Sequence, residues 1–331
     1  MNRSIDAPVP LLRRSFRVAS RSAPWLTLAL HAVVPAAPGA SRAVLVLHGA
    51  TLSGYLFDPP APAPSLQERL AGLGWSSYAL DVRGFGCSTR PGPGTPGFDA
   101  VRPFARAAEC VADVAEAVRF LREQRGHAQV ALMGFSWGTV LAGKYAQAHP
   151  GTVSPLVLYA PLYAEANAGW MTLLRDPRDP AVLNRAFGAY RWTTTQALRE
   201  RWDADIPAPD KSAWRSDEVL AALLAGALRD DPLSGARTPA AFRSPNGPFA
   251  DLFEAFGGRP LYDAAAIREP VLIVRGEEDS TSTDADARRV LREIGSKVKF
   301  YRTIARGSHF ALLERSAPAL HGACEEFLGM F

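Results

Sequence analysis

The stretch HAQVALMGFSWGTVLAGKY, residues 127–145, decides the fold of this chain. A short apolar run, Val130–Met133, meets the pentapeptide GFSWG at 134–138 and is followed by the small-residue pattern of a helix. A strand that turns at once into a helix strains the residue at the turn, and flanking glycines avoid clashes with neighbouring backbone. We therefore expect the Ser136 hydroxyl to stand clear of a sheet edge, at the positive end of a helix.

Strand and helix patterns alternate along most of the chain. Strands are predicted at 43–47, 77–82, 129–133, 153–159, 271–275 and 298–304. Helices are predicted at 66–73, 107–124, 137–148, 284–294 and 312–329. This alternation predicts an α/β fold, with a mostly parallel sheet and helices on both faces. Two earlier strands, at about 12–20 and 25–34, are expected to form a hairpin that precedes the sheet.

The alternation stops between about residues 162 and 262, where no strand-like run interrupts the helical patterns near 194–204, 217–229 and 249–256. We therefore predict a helical cap over the carboxyl edge of the sheet at 162–262. The core is then formed by 1–161 and 263–331. Aromatic residues of this cap are candidates to wall an apolar substrate pocket, although packing inside the cap explains each of them equally well: Trp170, Trp192 and Trp202.

A serine nucleophile needs a base and a group that orients the base. His309 lies in the loop between the last predicted strand and the last helix, at the same carboxyl edge as Ser136. Asp279 follows the preceding strand and is our candidate to orient His309, with Glu278 and Asp284 as alternatives. The sequence thus predicts a Ser–His–Asp triad.

The same chemistry needs two N–H donors for the oxyanion that forms during acyl transfer. The backbone N–H of Trp137 begins the helix after Ser136 and is one candidate. The other candidate is the N–H of Ala50, in the loop after strand 43–47. Each such donor stabilises the transition state by about 3–4 kcal/mol.

Taken together, the motifs resemble those of the α/β-hydrolase superfamily. The matching motifs are His48-Gly49, Asp81-x-Arg83-Gly84-x-Gly86-x-Ser88, GFSWG at 134–138, Gly276-x-x-Asp279 and Gly307-x-His309. The resemblance implies an eight-stranded, mostly parallel sheet with a helical cap after the sixth strand. It also implies a serine hydrolase that forms a covalent acyl-enzyme and needs no cofactor.

Subfamily resemblances point in several directions. The segment DVRGFGCSTRP, residues 81–91, is similar to epoxide hydrolases and haloalkane dehalogenases, which carry Asp at the position of Ser136. Gly-x-Ser-Trp-Gly also occurs in proline iminopeptidases, whose acidic cap residues have candidate counterparts in Glu165 and Glu254. Hydrolases of carbon–carbon bonds share the cap arrangement.

The amino-acid composition limits the kinds of partner that this chain is expected to bind. The chain has 331 residues and a net charge of +4, and its basic residues are scattered rather than interleaved with aromatics, which argues against nucleic acid. Cys87, Cys110 and Cys324 show no metal-ligand or disulfide spacing, so we predict no metal site and a reducing, cytoplasmic location.

The N-terminal region offers a different interpretation that we reject. The pattern there loosely resembles a twin-arginine export signal, because Arg13-Arg14 precede the apolar stretch 25–34 and the small residues Ala36-Ala37 follow it. Arg17, Arg21 and Ser22 interrupt that pattern, so we treat the match as a coincidence. No apolar run approaches the ~20 residues that span a bilayer.

The sequence therefore predicts a serine hydrolase that cleaves a small or medium carboxylic ester, lactone or thioester. A carbon–carbon hydrolase or an aminopeptidase on the same triad is the alternative. A non-catalytic ligand-binding protein on this fold is the hypothesis from a different class. The partner is expected to be a small acyl substrate, and the oligomeric state stays open.

Overall fold

The computed structural model describes residues 10–36 and 41–331. Ala37 of the export-signal pattern lies outside them. The strands are β1 (Leu11–Ala19), β2 (Thr27–Pro35), β3 (Arg42–Leu47), β4 (Ser76–Asp81), β5 (Gln129–Phe135), β6 (Leu156–Tyr159), β7 (Tyr190–Thr194), β8 (Ala241–Pro245), β9 (Val271–Gly276) and β10 (Lys299–Ile304). The α-helices are α1 (Leu66–Gly72), α2 (Ala107–Arg119), α3 (Trp137–Ala148), α4 (Ala168–Leu174), α5 (Thr195–Ala204), α6 (Asp217–Arg229), α7 (Gly247–Phe256), α8 (Asp284–Glu293) and α9 (Ala317–Leu328).

Eight of these strands form one sheet, in the order β1-β2-β4-β3-β5-β6-β9-β10. The β1–β2 and β2–β4 pairs are antiparallel, and every other pair in the sheet is parallel. The predicted eight-stranded, mostly parallel α/β sheet is therefore confirmed. The predicted hairpin also forms, but as the antiparallel edge of this sheet rather than ahead of it. The parallel strands of the sheet bring their carboxyl ends to a common edge, where sites of open α/β sheets lie.

The central strands β3 and β5 are apolar after their first residue because helices cover both faces of the sheet. Leu45 and Leu132 point into one apolar layer, which also holds residues of α2 and α3. Val46 and Met133, one position further along each strand, point into the opposite layer with residues of α1 and α9. Each strand thus supplies alternate side chains to two cores.

The segment 162–262 lies between β6 and β9, and here one sequence expectation is wrong. Two strand segments do interrupt its helices: β7 and β8 form an antiparallel pair. Both strands have only five residues, and every residue of β7 is half-buried. Their side chains therefore lack the alternation between apolar and polar positions that identifies a strand in a sequence.

Two predicted boundaries also shift at prolines. Strand β6 begins only at Leu156, directly after Pro155, which has no N–H for a ladder hydrogen bond. Helix α9 begins at Ala317 with Pro318 in its first turn, where a proline is tolerated. Within the described ranges, no helix combines the length and the apolar character needed to cross a membrane.

Candidate active site

Ser136 occupies a sharp turn between β5 and α3. Its backbone angles are φ 56° and ψ −124°, a strained region for a residue with a side chain. A Cβ atom on Gly134 would lie 2.3 Å from the carbonyl oxygen of Gly138, and one on Gly138 would lie 2.3 Å from that of Leu47. The two glycines are therefore required by backbone contacts, as the pentapeptide predicts.

The structure brings Ser136, His309 and Asp279 into one hydrogen-bonded chain. His309 Nε2 lies 2.9 Å from Ser136 Oγ. On the other side of the ring, His309 Nδ1 lies 2.8 Å from Asp279 Oδ2 and 3.0 Å from Oδ1. All three residues are buried. This is the order of contacts that lets an imidazole take a proton from a serine hydroxyl.

Asp279 is held in place by its own backbone surroundings. Its Oδ1 accepts hydrogen bonds from the N–H groups of Thr281 and Ser282, at 2.9 and 2.8 Å. Burial acts to raise the pKa of Asp279, but the charge of His309, its hydrogen bond to the carboxylate and the hydrogen bond from Ser282 outweigh burial and lower the pKa. Asp279 is therefore ionised at neutral pH.

Neither sequence alternative to Asp279 contacts His309. Glu278 is exposed. Asp284 accepts hydrogen bonds from Tyr301 and Arg288 instead, both at 2.6 Å. One supporting residue was missed by the sequence analysis: Tyr159, at the end of β6, donates its hydroxyl to the carbonyl of His309 at 2.9 Å.

The loop after β3 lies against the serine. A Cβ atom on Gly49 would lie 3.1 Å from the Cβ atom of Ser136, so only a glycine allows this approach without a shift. The N–H groups of Ala50 and Trp137 donate to no other group of the described chain. They remain available to an oxyanion beside Ser136.

Ser136 and His309 open onto a cavity of about 770 Å³ with mostly apolar walls. Trp170 lines this cavity, together with Phe187, Phe249 and Leu252. The size and the apolar walls fit a small-molecule ligand.

The other two tryptophan candidates are not among the residues that line the cavity. Trp202 is fully buried and donates its indole N–H to Glu314 at 2.8 Å, so its contacts are those of a core residue. Trp192 stacks against the guanidinium groups of Arg237 and Arg243. Of the three, the structure brings only Trp170 to Ser136's cavity.

The candidate acidic cap residues are also placed elsewhere. Glu165 lies 3.5 Å from Arg289, and Glu254 pairs with Arg259. Neither side chain lines the cavity.

One group of side chains in the described ranges could hold a metal: His31, Asp81 and Cys87, whose donor atoms lie within 4.8 Å of one another. The Asp81 oxygens already accept hydrogen bonds from His31 and from the N–H groups of Gly54 and Cys87. None of the three side chains lines the cavity beside Ser136.

Comparison with known proteins identifies the family of this chain. Residues 42–316 match the family described as alpha/beta hydrolase fold, so the chain belongs to that family. The sequence has no significant match among curated proteins.

Solved structures share the fold at low identity. A thermophilic esterase from Thermogutta terrifontis is 16% identical, with a TM-score of 0.64 over 96% of this chain and 98% of that chain. A bromoperoxidase from Bacillus anthracis is 17% identical, with a TM-score of 0.65 over 96% and 100%. A meta-cleavage product hydrolase from Pseudomonas fluorescens IP01 is 16% identical, with a TM-score of 0.62 over 95% and 97%.

Proposed function

We propose that the protein is a serine hydrolase that cleaves a carboxylic ester, lactone or thioester through an acyl-enzyme. The observation that carries this proposal is the chain of contacts from Asp279 through His309 to Ser136, at the wall of an apolar cavity. The esterase from Thermogutta terrifontis has the same fold, which is compatible with this activity.

In the proposed mechanism, His309 Nε2 takes the proton of Ser136 Oγ as the oxygen attacks the acyl carbonyl. Asp279 holds the other ring nitrogen and stabilises the imidazolium. The N–H groups of Ala50 and Trp137 donate to the oxyanion. His309 then protonates the leaving alcohol or thiol, and a water molecule activated by the same histidine releases the acid.

We further propose that segment 162–262 acts as the cap. Its residues Trp170, Phe187 and Phe249 form walls of the cavity, while Ser136 and His309 come from the sheet side. A cap built in this way selects the substrate, and the sheet supplies the reacting groups.

Two observations favour an ester over the alternatives. An aminopeptidase needs an anionic group for the substrate amine, but Glu165 and Glu254 pair with arginines outside the cavity. Glu200 does line the cavity, but it is exposed and accepts a hydrogen bond from Gln196. The contacts around Ser136 also argue against a binding protein without activity, since binding alone needs no aligned proton acceptor. A panel of esters, aminoacyl anilides and vinylogous diketones tests the remaining carbon–carbon alternative.

The direct test is hydrolysis of p-nitrophenyl butyrate by the wild type and Ser136→Ala. We expect kcat to fall by about 10⁴–10⁶. Ser212→Ala removes an exposed serine and is the matched control, with unchanged kcat. Full activity of Ser136→Ala in purified protein rules out the proposed nucleophile.

The cysteines support a reducing location. Cys87, Cys110 and Cys324 are all free thiols, and the last two are buried. We propose on this basis that the protein works in the cytoplasm.

A further inference from the structure

Arg191 is a cavity residue that the sequence analysis did not single out. It lies on β7, and it lines the same cavity as Ser136 and His309. The aromatic ring of Phe249 lies under its guanidinium, 3.7 Å from the ring centroid to Cζ. This places a positive charge in a largely apolar chamber beside the proposed nucleophile.

Every hydrogen-bond partner of Arg191 is neutral. Nη1 donates to the carbonyl of Pro245 at 2.7 Å and to Asn246 Oδ1 at 3.3 Å. Nη2 donates to the carbonyl of Ala50 at 2.6 Å and to Thr51 Oγ1 at 3.0 Å. Its Nε–H has no acceptor in the described chain, and the Nε atom is not completely enclosed by the protein.

Two other arginines in this part of the molecule do have carboxylate partners. Arg201, which also lines the cavity, lies 3.0 Å from Asp205. Arg243, opposite β7 on β8, lies 2.7 Å from Asp231. Arg191 forms no ion pair with any carboxylate of the described ranges. Glu200 is the acidic residue of the cavity lining, but it is exposed and accepts a hydrogen bond from Gln196.

An uncompensated charge of this kind is costly to bury. Burial lowers the pKa of Arg191 to about 9, which still leaves the guanidinium charged at neutral pH. Such a cation is stabilised when an anion enters the cavity. The unused Nε–H of Arg191 can donate to that anion, and a guanidinium group is well suited to a carboxylate.

We propose that Arg191 binds a free carboxylate on the substrate, which makes the substrate an acyl compound with a second, anionic end, such as a monoester of a dicarboxylic acid. This inference rests on the proposed function. Arg191 also holds the carbonyl of Ala50, whose N–H is a proposed oxyanion donor. The carboxylate site and the reacting carbonyl are therefore neighbours, and a short chain of carbons joins them.

The test compares substrates that differ only in their charged end. Mono-p-nitrophenyl adipate and p-nitrophenyl hexanoate both have six acyl carbons, and one ends in a carboxylate and the other in a methyl group. Matched pairs with four and five acyl carbons vary the span between the two ends. We expect wild-type kcat/KM to favour the anionic ester by about 10- to 100-fold at the best length, as charged hydrogen bonds do.

Two variants connect this preference to Arg191. Arg191→Gln should abolish the preference for the anionic ester, and Arg191→Lys should retain part of it because the charge remains. Arg237→Gln removes an exposed arginine on Trp192 and should leave the ratio of the two substrates unchanged. If Arg191→Gln slows both esters equally, the residue only holds the Ala50 loop and the inference is wrong.

A measurement without variants covers the case in which Arg191→Gln does not fold. Dicarboxylates and monocarboxylates of equal length are compared as competitive inhibitors of wild-type turnover of p-nitrophenyl butyrate. Tighter inhibition by the dicarboxylate, by about tenfold or more, supports the inference. Equal or weaker inhibition overturns it. Failure of the proposed function gives a different result, since no ester is then turned over at all.

Discussion

Two Asp–His pairs in the described ranges have very different surroundings: His309 is buried, whereas His31 is partly exposed. Asp279 and His309 lie at the carboxyl edge of the sheet, and the free ring nitrogen of His309 faces Ser136 at 2.9 Å. Asp81 and His31 lie on the neighbouring strands β4 and β2, with Asp81 Oδ2 2.9 Å from His31 Nε2. The two pairs share their side-chain chemistry, so the contrast isolates what their positions contribute.

The pair formed by Asp81 and His31 holds parts of the fold together. Besides His31, the carboxylate of Asp81 accepts hydrogen bonds from the N–H groups of Gly54 and Cys87, at 2.7 and 2.8 Å. It therefore ties two loops to the sheet. The Gly86 Cα is so close that a Cβ atom there would lie 2.1 Å from Asp81 Oδ2.

Three features distinguish the surroundings of His309 from those of His31, which lines a smaller pocket of about 240 Å³. Ser136 is held at a positive φ that points its hydroxyl at the imidazole, two N–H groups nearby are unused, and a cavity opens beside them. The other ring nitrogen of His31 instead lies 3.5 Å from Ser15 Oγ, on the ordinary strand β1. An Asp–His pair is thus not a sign of catalysis until a nucleophile and a substrate space adjoin it.

Exchanging each aspartate for asparagine should separate the two pairs most clearly. Asp279→Asn puts an N–H₂ group against His309 and fixes the wrong ring tautomer, so we expect kcat to fall by about 10⁴-fold. Ester turnover per folded molecule is the measurement. Asp81→Asn is the matched control, and its folded fraction should keep kcat within about threefold. Equal losses of kcat in the two variants contradict the assignment of a catalytic role to Asp279 and a structural role to Asp81.

For the free energy of unfolding we expect the opposite order, with the larger loss in Asp81→Asn. Asp81→Asn sets an N–H₂ donor against the N–H of Cys87 and leaves His31 without its counterion. Removing one partner of a fully buried pair costs about 3–5 kcal/mol, and we expect a loss near the lower end because His31 is partly exposed. The measurement is the free energy of unfolding in urea. A free energy of unfolding for Asp81→Asn equal to that of the wild type shows that the pair holds nothing together.

A smaller effect concerns pH. Burial lowers the pKa of His31, but the hydrogen bonds to Asp81 and Cys87 outweigh burial and raise the pKa from 6.5 to about 10. The folded state therefore binds the proton more tightly than the unfolded state. The resulting stabilisation is complete below pH 6.5 and is lost as the pH rises through 10.

The variant His31→Gln lacks this proton. The difference in Tm between the wild type and His31→Gln should therefore be largest near pH 6 and shrink by pH 10. Thermal unfolding followed by circular dichroism at several pH values checks this. A difference that grows with pH has the wrong sign for the proposed ion pair.

The parts of the fold that sequence patterns predict are those with strong local rules. GFSWG specifies the Ser136 turn because backbone contacts exclude any Cβ at Gly134 and Gly138. The apolar runs of β3, β5 and β9 are predicted because burial on both faces of the sheet requires consecutive apolar residues. His309 and Asp279 follow from their positions after strands, since parallel strands end at one edge.

The substrate side of the cavity follows no such rule. The sequence does not show which of three tryptophans lines the cavity: Trp170, Trp192 or Trp202. Only the packing of the segment 162–262 distinguishes them. Arg191 is one of many scattered arginines in the sequence, and the absence of a carboxylate partner is visible only in three dimensions. The short strand β7 that carries it was itself missed.

Covalent labelling of the protein shows whether Ser136 is an activated nucleophile. The wild type is treated with a fluorophosphonate, digested, and the adduct is located by mass spectrometry. We predict one phosphonylated residue, Ser136, with labelling abolished in Ser136→Ala and strongly slowed in Asp279→Asn. An unlabelled protein, or an adduct on any other residue, contradicts the account.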